Sequence, residues 1–393
     1  MSSRLSRNIW LLSLVSLFTD MASEMLYPVM PVYLRSIGFS VLLIGILEGI
    51  AEAVAGLSKS YFGGLSDRSG RRLPFVQWGY ALSALSKPMM ALLTQAWWIF
   101  LARTTDRLGK GIRTGARDAL LSQEAGPGQK ASVFGFHRAM DTMGAVIGPL
   151  TALAFLYFFP GQYKWLFLVA FLPGVLAILL TRLVKEGMPN PAKPRTVSLL
   201  HAFHFWKQSS PRYRALVGGL LVFALVNSSD LLLLLKIRES GYSDQQVIGL
   251  YIFYNLVYAL LAYPAGRLAD RFGMRNIFIA GLALFALTYT GFAFSHSVYG
   301  YMLLFVCYGA YAAATEGVAK AWISRLVDGS ETASAIGTYT GFQSIAALLS
   351  SSLAGAAWFA FGPAWAFGIS GAVTILLIFY FLTLPGKNPT LQG

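Results

Sequence analysis

The 393 residues are 56% hydrophobic and only 12% charged, with a mean hydropathy of +0.58, which is more apolar than a water-soluble globular domain. The net charge of +14 does not point to a nucleic-acid binder, because the lysines and arginines gather in alternate loops rather than on one soluble face. The single cysteine, Cys307, excludes an intramolecular disulfide and a cysteine-based metal cluster.

A hydrocarbon core about 30 Å thick takes roughly 20 apolar residues of helix, and runs of that length recur along the chain with short gaps. They predict twelve spans, at 8–34, 40–62, 73–94, 97–121, 131–158, 163–184, 213–236, 245–265, 276–295, 298–323, 332–360 and 364–385. The first run is too long for a signal-peptide core and leads straight into the next span, so it is read as a retained helix. Between spans six and seven, a polar segment with Pro189, Pro191 and Pro194 reads as a linker over 187–212, joining an N-terminal bundle at 1–186 to a C-terminal bundle at 213–393. His201 and His204 in this linker stand one turn apart, as in a metal pair or, preferably here, in an amphipathic helix on the membrane surface. Arg4, Arg7, Arg68, Arg71, Arg72, Lys130, Lys185, Lys193, Arg195, Arg212, Arg271, Arg275 and Lys387 fall on one side of the spans. The opposite loops carry mainly Arg35, Lys164 and Arg238. The positive-inside rule makes the basic side cytoplasmic, and with an even span count both termini lie there.

One loop pattern occurs twice. G-x-x-x-D-R-x-G follows span two as Gly63, Asp67, Arg68 and Gly70, with Arg71 and Arg72 after it, and follows span eight as Gly266, Asp270, Arg271 and Gly273, 203 residues later. Glycines permit close helix packing and a tight turn, while an aspartate can cap a neighbouring helix N-terminus and pair with an arginine. Such a cluster can latch one conformation. The second copy has Met274 where the first has Arg71, which predicts a weaker second latch. With this duplicated loop the sequence resembles the major facilitator superfamily. The resemblance implies an all-α polytopic membrane protein with 12 transmembrane helices in two six-helix bundles, acting as a monomeric secondary transporter rather than an enzyme. Span five carries Gly135, Gly144, Gly148 and Pro149, similar to the antiporter motif of exporters in that superfamily, with Ala152 and Leu153 where the motif's final glycine pair stands. The alternative is ordinary small-residue packing between helices.

An ionisable side chain inside a span is expensive and therefore marks a cavity or a partner. Span one carries Asp20 and Glu24 one turn apart, span two Glu48 and Glu52 at the same spacing, and span three Lys87. Span four carries Arg103, Asp106, Arg107, Lys110, Arg113, Arg117 and Asp118 in steps of about three and four, most of them on one stripe. Span five adds His137, Arg138 and Asp141, span seven Asp230, and span ten Glu316 and Lys320. In transporters that this chain resembles, helices 1, 4, 7 and 10 line the central cavity, and the intramembrane charges fall heavily on those four. The candidates for proton coupling or substrate binding are Asp20, Glu24, Glu48, Glu52, Arg103, Asp106, Arg107, Lys110, Arg138, Asp141, Asp230 and Glu316. Arg107, followed by Lys110, Gly111 and Gly115, also resembles the arginine-centred motif tied to proton coupling. The acids of span one either couple transport or hold static ion pairs, and the basic stripe either attracts an anionic group or neutralises surrounding acids. Tyr251, Tyr254, Tyr258, Tyr308, Tyr311, Asn227, Asn255 and Gln343 are polar groups that either line a cavity or pack.

There is no P-loop pattern to drive transport with ATP, and neither G-x-S-x-G nor H-E-x-x-H occurs. The sequence therefore predicts a transporter without a cofactor, energised by the proton gradient across a bacterial inner membrane. Its partners are a small-molecule substrate, protons and the bilayer, with no nucleic acid. Proton-coupled export of a small organic or amphiphilic compound is the preferred reading, and proton-coupled uptake of an organic anion is the alternative.

Overall fold

The computed structural model describes residues 5–27, 29–187 and 201–384. Arg4, Lys193, Arg195, Lys387 and the linker prolines Pro189, Pro191 and Pro194 lie outside the described residues. Among the described residues the chain is helical, with fifteen α-helices and no strand.

By internal packing the chain divides into two units. Unit 1 holds Met1–Glu124, Met140–Gln208 and Val327–Gly341, and unit 2 holds Ala125–Ala139, Ser209–Leu326 and Phe342–Gly393. The helices of the N-terminal stretch are α1 (Arg7–Glu24), α2 (Met30–Ser36), α3 (Val41–Ser69), α4 (Leu73–Leu92), α5 (Ala96–Glu124), α6 (Lys130–Phe158), α7 (Tyr163–Thr181) and the linker helix α8 (His201–Gln208). Those that follow are α9 (Pro211–Ala224), α10 (Asp230–Glu239), α11 (Asp244–Phe272), α12 (Met274–Phe294), α13 (Val298–Arg325), α14 (Thr332–Phe361) and α15 (Pro363–Thr383).

Each unit repeats one packing scheme. In unit 1, α5 packs on α3 and α4, α4 on α7, and α7 on α1. In unit 2, α13 packs on α11 and α12, α12 on α15, and α15 on α9. The order of partners is the same, as the duplicated loop implies. Matching serines start matching helices: the Ser40 hydroxyl accepts from the Leu43 N–H at the start of α3, and Ser243 forms a capping box with Gln246 at the start of α11.

Two of the predicted spans are not continuous. Span one breaks after Glu24 and resumes as α2, with a proline in the first turn of α2, where a missing N–H costs least. Span seven breaks between Ala224 and Asp230, where Asn227, Ser228 and Ser229 have side chains that compete for backbone groups. Ser229 accepts from the Leu231 N–H, and the Ser228 carbonyl accepts from the Tyr289 hydroxyl at 3.3 Å. In α8, His201 is buried with Nε2 3.3 Å from the Ser334 hydroxyl, while His204 is exposed.

The duplicated loop has one geometry in both units. Asp67, at the end of α3, accepts hydrogen bonds from the backbone N–H groups of Ala333 and Ser334 in the first turn of α14, at 3.3 and 2.6 Å. Asp270, at the end of α11, accepts from Ala131 and Ser132 in the first turn of α6, at 3.1 and 2.7 Å. Each aspartate thus satisfies orphan donors of a helix start and meets the positive end of its dipole. The first glycine of each motif lets the two backbones approach: a β-carbon on Gly63 would lie 2.6 Å from the Ala333 oxygen, and one on Gly266 would lie 2.3 Å from the Ala131 oxygen. Gly70 ends α3 in the left-handed region at φ 66°, a conformation that costs glycine nothing.

The arginine partners differ from the simplest expectation. Arg72 is the ion partner of Asp67, at 3.3 Å, whereas Arg68 and Arg71 are exposed. In the second copy Arg271 is exposed and Arg275 donates to the Leu384 carbonyl; the partner of Asp270 is Arg325, from α13, at 3.1 Å. Met274 therefore takes the place of an arginine that makes no pair with the aspartate in either copy.

The glycines of span five are close-approach positions in α6, which continues through the buried Pro149. A β-carbon on Gly135 would lie 2.4 Å from the Ala262 oxygen. On Gly144 it would lie 2.4 Å from the Leu17 oxygen, and on Gly148 it would lie 2.6 Å from the Met21 oxygen. Backbone oxygens cannot move aside as a flexible side chain can. Gly144→Val is therefore expected to destabilise by about 1–3 kcal/mol through overpacking, read as a fall in thermal midpoint in detergent. Gly249→Ala, with open space around it, serves as the control and should leave the midpoint unchanged or higher. Asp67→Ala removes the cap of α14 and strands the buried Arg72, so its midpoint should fall below that of Asp67→Asn, which keeps one acceptor oxygen. A midpoint for Asp67→Ala equal to wild type would remove the cap from this account.

Candidate functional site

The break in span one leaves Glu24 at the end of α1, with Asp20 one turn before it on the same face. Both border a cleft in unit 1. Its other polar walls are Ser23 on α1, Ser86 and Lys87 on α4, and Arg103, Asp106, Arg107, Lys110 and Arg113 on α5. The helical period puts the α5 residues on one stripe, and the packing of α5 against α3 and α4 decides which carboxylates meet that stripe.

Most of the charges in this cleft are paired. Lys87 Nζ lies 2.7 Å from Asp106 Oδ1 and donates to the Ser23 hydroxyl at 3.3 Å. Arg103 holds Glu48 through Nε at 2.9 Å and Nη2 at 2.6 Å. Arg107 reaches Glu48 at 3.7 Å and Glu52 at 3.3 Å. The acids of α3 therefore neutralise the upper stripe, which leaves Glu48 and Glu52 as partners of arginine rather than open carboxylates. Lys110 and Arg113 differ, since neither is ion-paired among the described residues. Arg113 is 4% exposed and donates through Nη1 to the Ser83 hydroxyl at 2.6 Å, with its guanidinium 4.7 Å from the centre of the Tyr80 ring. Its Nε has no acceptor.

Behind the cleft, Asp141 on α6 accepts from the Ser16 hydroxyl at 2.6 Å and lies within hydrogen-bonding reach of Asp20. Arg117 sits beside them, 2.8 Å from Asp118 and 3.4 Å from the Ser16 hydroxyl. Two carboxyl groups can share a hydrogen bond only when one of them carries a proton.

The remaining candidates lie in unit 2. Arg138, near the start of α6, is ion-paired with Glu316 on α13, donates to the Tyr258 hydroxyl at 2.6 Å, and stacks over that ring at 5.6 Å. Of the charges of span five, Arg138 is thus paired with α13, whereas Asp141 is bonded to Ser16 of α1. Asp230, the first residue of α10, accepts from the Tyr308 hydroxyl at 2.6 Å.

Reading the sequence by span left out of the site four residues that the structure brings into it. Arg72, Lys87 and Arg113 were visible only as charges, with no sign that Arg72 would meet Asp67, Lys87 would meet Asp106, and Arg113 would meet the Ser83 hydroxyl. Tyr308 was one of several tyrosines on its helix, and its hydroxyl gains a partner only because span seven breaks at Asp230.

The chain was compared with known proteins. The family model for the Major Facilitator Superfamily matches residues 12–253 and 215–393. An MFS-type transporter of Methanocaldococcus jannaschii is 31% identical over 361 residues, covering 90% of this chain and 89% of that protein. The multidrug resistance protein MdtH of Photorhabdus laumondii is 24% identical over 267 residues, covering 65% and 63%. Among solved structures, the human organic anion transporter MFSD10 superposes with a TM-score of 0.80 at 16% identity, covering 95% of this chain and 99% of that one. The fucose:proton symporter FucP of E. coli superposes with a TM-score of 0.81 at 13% identity, covering 96% and 98%. At those identities the two structures share the fold alone. A duplicated loop with one capping geometry, two units packed to one scheme, and a family match along the chain lead to one conclusion: this protein is an integral membrane transporter of the Major Facilitator Superfamily.

Proposed function

We propose that this transporter is proton-coupled and exports a small organic or amphiphilic compound by alternating access. It acts as a monomer in a bacterial inner membrane, with both termini in the cytoplasm. The observation that carries the reading is the approach of Asp20 to Asp141 beside the cleft. Two neighbouring carboxyl groups can take up or release a proton, and each change alters the charge next to the polar wall formed by Glu24, Lys110 and Arg113. Such a pair couples the protonation state to what the cleft can hold. Similarity to proteins named for multidrug resistance supports export, as do the close-approach glycines of α6.

A second reading rests on Lys110 and Arg113. Two cationic groups without carboxylate partners favour a solute bearing an anionic group, in either direction of transport.

Reconstitution into liposomes with a pH-sensitive dye inside tests both readings. A compound panel should include substrates that evoke proton movement under a pH gradient. Asp20→Asn and Asp141→Asn should each reduce that flux by about tenfold or more, since general acid–base groups contribute at least that much; unchanged flux in both variants removes the pair from the mechanism. Under the second reading, Arg113→Gln with Lys110→Gln raises the half-saturating concentration of an organic anion by about tenfold, roughly the value of one charged hydrogen bond, and leaves that of a neutral compound alone. Equal shifts for both compounds would count against an anion site.

A further inference from the structure

Unit 2 contains a second charged centre whose chemistry is opposite to that of the cleft. Each acid discussed so far in this unit has its own cation, Arg325 for Asp270 and Arg138 for Glu316. Asp230 does not. Among the described residues it has no lysine, arginine or histidine partner, and its neighbours are phenols: Tyr308 donates to Oδ1 at 2.6 Å, and Tyr254 is within hydrogen-bonding reach. The residue as a whole is half-buried.

The walls around it are aromatic. The ring centres of Tyr254 and Tyr308 are 4.9 Å apart, those of Tyr308 and Tyr311 are 5.3 Å apart, and Tyr258 stacks on Tyr254 at 6.3 Å. At the break in span seven, three residues before Asp230, Asn227 donates to the Tyr311 hydroxyl at 2.8 Å while its buried Oδ1 accepts nothing. One carboxyl and one open amide oxygen are too few to replace the six or more oxygens that a hard metal ion demands. Electron-rich ring faces beside a carboxylate instead suit a large, weakly hydrated organic cation, which gains from both the charge and the rings.

We propose that Asp230, with Tyr254 and Tyr308, is a binding site for the cationic centre of an organic ammonium or phosphonium compound. The proposal rests on the reading of the protein as a transporter of small organic compounds and names the charge of one class it takes. Asp230 supplies the counter-charge, Tyr254 and Tyr308 supply ring faces and hold the carboxyl in place, and the Asn227 oxygen accepts from any N–H the ligand brings.

Tetraphenylphosphonium and tetraphenylborate have the same shape and opposite charge, which makes them the probes. Equilibrium binding is measured on the purified full chain in lipid nanodiscs. Saturable phosphonium binding is expected, without competition from the borate. Asp230→Asn should weaken it by about tenfold or more, and Asp230→Glu should restore most of it. Tyr308→Leu, which removes the ring face, should weaken it more than Tyr308→Phe, which keeps the face and loses only the hydroxyl. Equal affinity for the borate, unchanged affinity in Asp230→Asn, or identical losses in the two Tyr308 variants would each overturn the site. If Asp230→Asn does not fold, the Tyr308 pair and the borate comparison decide. Wild-type protein with substrate-evoked proton flux but no phosphonium binding would overturn this site and leave the transporter reading standing. Phosphonium binding that depends on Asp230, in protein showing no proton flux, would support the site and overturn the coupling.

Discussion

An ionised side chain in the hydrocarbon region persists only where something cancels its charge, and insertion scales put the cost of an uncompensated one near about 3 kcal/mol. The interior of this protein is arranged around that constraint. Lys87 cancels Asp106 at 2.7 Å, Arg103 cancels Glu48, Arg107 reaches Glu52, and Arg138 cancels Glu316. At the helix ends, Asp67 and Asp270 are held by an arginine and by the N–H groups of a helix start. These pairs tie α3 and α4 to α5, and α6 to α13, so the same contacts that remove the charge penalty fix which helices are neighbours. Two places depart from the pattern: the cations Lys110 and Arg113, which have no carboxylate within ion-pair distance among the described residues, and the carboxyl of Asp230, which bonds to Tyr308.

How much of this was legible in the sequence depends on range. The spans and the duplicated loop were readable because hydrophobic run length and an eight-residue pattern are local properties. The role of aspartate as a cap was also readable, since a carboxylate at a loop next to helix starts has few other uses. Which arginine meets it was not. Arg71 and Arg72 are adjacent in sequence, yet only Arg72 turns inward, and the partner of Asp270 comes from Arg325, 55 positions further along. The breaks in spans one and seven were hidden for a different reason, because an apolar average over some twenty residues does not register a five-residue interruption between two helices. Asn227-Ser228-Ser229 was the available signal. The assignment of α6 also escaped a span-by-span reading, because its first turns pack in unit 2 and its remainder in unit 1.

The two units share a packing scheme but fill it with different chemistry. In unit 1 the helix packed on its two neighbours is α5, with a stripe of arginine, lysine and aspartate; in unit 2 it is α13, with Tyr301, Tyr308 and Tyr311 before Glu316. The matching helix thus carries an ionic stripe in one repeat and a run of tyrosines in the other. Ion pairs fix geometry but are costly to open, because each partner is left exposed to a low-dielectric surrounding. Aromatic surfaces lose little when a ligand replaces one contact with another.

Each repeat also breaks its first long helix within about a turn of an acid, Asp20 before the break that follows Glu24 and Asp230 directly after the break in the other. An intact helix resists local change because every residue is tied to another four positions away. Where the ladder is already interrupted, a half-helix can shift at the expense of a few side-chain contacts, such as the hydrogen bonds of Tyr289 to Ser228 and of Ser351 to the Ser229 N–H. A change of charge at Asp20 or Asp230 acts within a turn or two of such a joint. On the functions proposed above, placing the acid and the break together is what would let one proton or one cation bias the position of a half-helix without unfolding the rest of the ladder.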